Sequence, residues 1–185
     1  MTYYEVSSGQ VSSGIILSDG DGMWVYDGGT ADTTTVDSAG AFYIFSGGAA
    51  DKTVVNIGGQ MIINSGASAT GIKENGGYVE AVDIDAVIFI ANTFSSSILN
   101  DVSVTVHSGT TAVSTTVNSN SILEIFDGGK ADTVILNLGG RMTVSSGGTA
   151  AGIRENGGNV QVDEGADVSF AANTFSGLVP ECTVA

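Results

Sequence analysis

Basic residues are scarce in this 185-residue chain: five Lys and Arg stand against 20 Asp and Glu, a formal charge of −15. Nucleic acids and anionic membranes are held by clustered cations that displace counterions, so both are excluded as partners. Cysteine is scarcer still. The single thiol, Cys182, permits no disulfide within the chain and no Cys-based metal site. No apolar run approaches the roughly 18 residues of a membrane-spanning helix, so no membrane insertion is expected of this segment. The opening MTYYEVSSGQ has neither the basic segment nor the hydrophobic core of a signal peptide, so either an export signal has been removed, or it lies elsewhere, or the protein stays inside. Apolar residues at 3.6 spacing are missing as well, and with them the expectation of any helix.

What the chain does have is glycine, 27 residues of it, together with 42% hydrophobic residues, too many for a disordered acidic tail. The glycines keep time. Pairs at Gly28-Gly29 and Gly47-Gly48, then Gly66-Ala67, fall 19 residues apart, and Gly109, Gly128 and Gly147 repeat the beat. A larger period of 81 lies over it: NSGASATGIKENGGYV from Asn64 returns as SSGGTAAGIRENGGNV from Ser145, and ANTFS at Ala91 returns at Ala172. The chain therefore reads as one domain over residues 1–185, made of two repeats of about 81 residues (about 9–89 and 90–171) and a short C-terminal tail. The odd connection around residues 84–106 suggests a bulge or bend between the repeats.

Within each 19-residue unit, two alternating stretches separated by glycine turns give a period of two, the mark of strands with one buried face. The inward set is Ala31, Thr34, Val36, Phe42 and Ile44, then Ala50, Thr53, Val55, Met61 and Ile63, then Ala131, Val134, Leu136, Met142 and Val144. So short a unit cannot bury its own row, whereas stacked units can pair their strands in parallel and join the rows into one continuous column. The predicted fold is all-β: a parallel β-solenoid of about nine coils, right-handed because parallel crossovers are overwhelmingly so. Asp37, Asn56, Asn118 and Asn137 recur at one corner, where stacked amides can form a ladder.

The pattern GGxAxxTxVNxGGxMxVxSGGTA, matched at Gly47–Ala67 and Gly128–Ala150, resembles the AIDA-type repeat of bacterial autotransporter adhesins and related surface proteins. The resemblance covers about Val6 to Phe175. It implies a right-handed β-helix passenger that is secreted or held at the cell surface and serves adhesion or self-association. The implied partners are a host or bacterial surface glycan or protein, or a second copy of the chain. It also implies O-glycosylation on Ser or Thr by a dedicated glycosyltransferase.

No catalytic residue and no cofactor is expected. His107, aligned with Tyr26 and Phe45, reads as a lone outward surface residue. Asp32 and Asp51 stack on adjacent coils and are weak candidates for Ca²⁺, their column being interrupted by Thr70, Val113 and Ala151. Glu74 and Glu155, beside Lys73 and Arg154, read as a solvated charged corner. The outward aromatics Trp24, Tyr26, Tyr43 and Phe45 form a candidate contact strip. Outward Thr33, Thr35, Ser114, Thr116 and Thr133 are candidate glycosyl acceptors. An ice-binding threonine array is disfavoured because Lys52 and Val54 interrupt it. The alternatives to an adhesive rod are a β-helix carbohydrate-binding or carbohydrate-processing protein, for which no carboxylate pair with a basic partner can be assembled from the sequence, and a phage tail-spike-like fragment.

Overall fold

A computed structural model describes residues 1–172 and shows a parallel β-solenoid of about nine turns, almost free of helix. All strand pairs run parallel. One face carries the strands Tyr3–Val6, Gly22–Val25, Ala41–Ile44, Gln60–Ile63 and Tyr78–Ala81, and continues after an interruption with Ser103–Val106, Ile122–Ile125, Arg141–Val144 and Asn159–Val162. Their starts are 19 residues apart within each half, with a final step of 18. Every residue of the predicted inward set is buried, none more than 4% exposed.

The coil differs from the sequence reading in one respect: it has three faces, because the first alternating stretch is broken in the middle. Thr30–Asp32 and Thr35–Val36 belong to different faces, separated by Thr33 at φ 56°. The same corner is turned by Lys52 at φ 53°, Ser114 at φ 53° and Thr133 at φ 58°, and by Gly71 and Gly152 on the last coil of each half. A β-branched residue in the left-handed region is strained. It is held there by hydrogen bonds to the next coil, such as Thr33 N–H to the Asp51 carbonyl at 2.9 Å. The corner side chains therefore stand off an edge, not on a flat strand.

Along the neighbouring corner the amides do form a ladder. Asn75 donates to Asn56 at 2.7 Å and Asn56 to Asp37 at 2.6 Å; in the second half Asn156 donates to Asn137, Asn137 to Asn118 and Asn118 to Asn100. Glycine is required where coils approach most closely. A Cβ at Gly29 would collide with the Val6 carbonyl oxygen, and one at Gly140 with that of Val117.

The expected single column is in fact two cores. One runs from Val6 to Val87 and the other from Phe94 to Ile153. The regular ladders of the first half end at Tyr78–Ala81 and Val87–Phe89, and new ladders start at Asn92–Ser95 and Ser103–Val106. Between them lie a 3₁₀ turn at Ile84–Ala86 and a register shift where Ser68–Asn75 meets Val87–Phe89. The register shift recurs in the second half between Ala150 and Ile153.

Candidate functional site: the junction between the repeats

The polar chemistry of the molecule concentrates where the two halves meet. Glu74 aligns with Val55, Val36 and Leu17, so it occupies an inward position at the end of an aliphatic column. It is completely buried. Its carboxylate accepts hydrogen bonds from the Thr105 hydroxyl at 2.8 Å and the His107 backbone N–H at 2.8 Å, and lies 2.7 Å from His107 Nδ1. Around this centre Thr105 N–H donates to the Gly77 carbonyl at 3.1 Å, Val79 N–H to Thr105 Oγ at 2.9 Å, and Asn92 Nδ2 to the Glu74 carbonyl at 2.6 Å.

Both sequence expectations for these residues are corrected. Glu74 is not a solvated corner, and His107 is not a surface residue but only 6% exposed. His107 does stand on the outward parity of its strand, since Val106 beside it is core. What buries His107 is contact with Phe89 and Glu74 of the first half and with Phe126. Its imidazole is sandwiched between Phe89, 4.4 Å away with planes 7° apart, and Phe126, 4.5 Å away with planes 9° apart. Phe89 ends the strand Val87–Phe89, which pairs in parallel with Ser68–Asn75 at the end of the first half. Glu155 occupies the matching place in the second half, aligned with Leu136, and is half-buried.

Beside this clamp are two adjoining hollows that share Tyr78. The first, of about 720 Å³, is lined by Glu80, Asp85 and Asp127 and by the apolar Ile84, Ile88 and Phe126, among others. The second, of about 530 Å³, includes Asp101 and Glu124 in its lining. Burial raises Glu124 above the usual carboxylate range; the nearby His107 opposes this and the charge of Glu80 adds to it. Burial, then the charges of Glu80 and Glu124, likewise raises the Tyr78 phenol. The fold thus brings together two carboxylates that lie 44 positions apart in the sequence, a pairing that coil alignment does not reveal.

The candidates from sequence lie elsewhere. Asp32 and Asp51 are adjacent in register, and the Lys52 ammonium bridges them at 3.2 and 2.8 Å. Hydrogen bonding to that ammonium is the main reason both carboxyls sit below their usual range. No group of three or more His, Cys, Asp or Glu placed to hold a metal ion occurs among the described residues. The aromatic strip exists but is half-buried at Trp24, Tyr43 and Phe45. Tyr26 and Phe45 stack at 5.2 Å with planes 7° apart, while Trp24 packs between Tyr3 at 5.3 Å and Tyr43 at 6.1 Å and lies over Gly22, where any Cβ would meet the indole. Ile62 and Glu80 continue the Trp24 and Tyr43 column toward the junction. Thr33, Ser114 and Thr133 are exposed at their corner, while Thr35 and Thr116 are half-buried.

No protein-family model matches the chain, and no curated protein matches it. Among solved structures it is similar to the crystal structure of a TibC-catalysed, hyper-glycosylated TibA55-350 fragment, at 19% identity and a TM-score of 0.42 over 92% of this chain and 94% of that one. At that level the likeness assigns no function to this chain.

Proposed function

We propose that the protein is a non-enzymatic contact rod, adhesin-like and working at the cell surface or outside the cell, in which the solenoid is a scaffold that displays side chains at fixed spacing. The observation that carries this reading is the aromatic column on one face, Tyr3, Trp24 and Tyr43 running into Ile62. Trp24 and Tyr43 are half-buried and Tyr3 is exposed; rings packed on a sheet in this way lose little conformational freedom on contact and bring large apolar area, which suits a recognition surface. The occupant is a surface glycan or protein, or a second copy of the rod. The exposed hydroxyls of Thr33, Ser114 and Thr133 are the acceptors a glycosyltransferase reaches most easily, and Thr35 and Thr116 are harder to reach.

The test is the pair Trp24→Ser and Tyr43→Ser. Sedimentation and binding to glycan- or cell-coated surfaces should both be compared with the parent, with circular dichroism confirming the fold. Weakened self-association or surface binding supports the reading. Unchanged behaviour in both assays by a folded variant removes it.

A further inference from the structure

The hollows at the junction combine two properties seldom found together. The larger one has an apolar wall: Ile84 and Ile88 line it while remaining 50% and 58% exposed, and Val82 and Ile90 on the same connecting segment are 59% and 44% exposed. The charge of both hollows is of one sign. Glu80, Asp85 and Asp127 line one hollow and Asp101 and Glu124 the other, whereas none of Lys52, Lys73, Lys130, Arg141 and Arg154 lines either. His107 lies in the larger hollow, but its Nδ1 is engaged by Glu74 and its ring faces by Phe89 and Phe126. Glu124 is half-withdrawn from water and the other four carboxylates are exposed, with no Lys or Arg in either lining, an arrangement that favours an incoming positive charge.

We infer that this junction groove is a docking site for a basic amphipathic peptide segment, one in which Lys or Arg alternates with aliphatic or aromatic residues. The cations fit the carboxylates of Glu80, Glu124 and Asp127, the ring of Tyr78 offers a cation–π face between the hollows, and the apolar side chains cover Ile84 and Ile88. Charge complementarity selects this occupant. A lipid surface is anionic and is repelled by a chain of charge −15, and a bare metal ion leaves the isoleucine wall uncovered. The site begins at Glu80, where the column of Trp24, Tyr43 and Ile62 ends; neither Trp24 nor Tyr43 lines it, so it is tested separately from them.

The experiment is fluorescence anisotropy on the whole chain with a labelled peptide alternating Lys with Leu and Phe. Two comparison peptides replace the apolar residues by Ser or the Lys by Glu. Glu80→Gln with Glu124→Gln is expected to weaken binding about tenfold or more, by loss of two charge partners of which Glu124 is half-buried. Asp19→Asn with Asp27→Asn removes the same charge in the N-terminal coils and should change binding by no more than about twofold, the scale of screened surface charge. Ile84→Ser with Ile88→Ser, which leaves the charge untouched, should cost about fivefold or more through lost apolar contact. Trp24→Ser with Tyr43→Ser should bind the peptide as the parent does. Equal losses from the two acid pairs, equal binding of the Lys/Ser peptide, or no binding by the parent would overturn the assignment.

Discussion

The buried clamp of Glu74 and His107 lends itself to a double-mutant cycle. His107→Phe keeps an aromatic ring between Phe89 and Phe126 but takes the Nδ1 partner from a carboxylate that is completely buried. Removing one partner of a buried pair costs about 3 kcal/mol or more. Glu74→Leu extends the aliphatic column of Leu17, Val36 and Val55, and its cost is limited to donors left without an acceptor, about 1.5 kcal/mol. In the double variant the carboxylate and the imidazole are both gone, so its loss should not exceed that of Glu74→Leu alone. The coupling energy is therefore expected near 3 kcal/mol. Urea unfolding of the four proteins measures it, and amide exchange at Val79 and Thr105, whose N–H groups bond across the seam, reports whether the seam has opened. Additive losses, with the double variant the least stable of the four, would refute the clamp.

Other consequences are simpler. Thr34 and Thr53 bury hydroxyls that have no partner among the described residues, and Val134 occupies the place of Thr53 one repeat later; Thr53→Val should raise stability by about 1 kcal/mol, seen as a higher melting temperature. Gly29→Ala drives a methyl into the Val6 carbonyl whereas Gly9→Ala meets open space; the first should cost well over 2 kcal/mol, the second only the left-handed penalty of about 1 kcal/mol. Asn137→Ala breaks two rungs of the amide ladder and should lower stability by about 1–2 kcal/mol, checked by urea unfolding. Because burial raises Glu124 in the folded state, its contribution to stability is full below the unfolded value and declines as pH rises through the folded one. Glu124→Gln should therefore flatten the loss of stability just above the ordinary carboxylate range, measured by melts across pH 4 to 7. A parallel fall in both proteins would contradict the assigned shift.

The inward set of the regular coils, from Ala31 to Val144, was legible in the sequence without exception, and so was the amide ladder through Asn56 and Asn137. The reason is physical: when near-identical 19-residue units stack in register, a residue's place in the unit fixes its column, its neighbours and its face. The three-faced coil was half legible. The step of three between Ala31 and Thr34 breaks the period of two and marks the left-handed corner at Thr33. Tertiary structure alone decided the junction. Parity states which way His107 points but not what lies beyond it, and what lies there is Phe89 and Glu74, brought in from the other repeat. The same holds for Glu80 and Glu124. Their meeting depends on how one stack of coils ends against the next, and a local repeat cannot encode contacts at the place where it stops repeating.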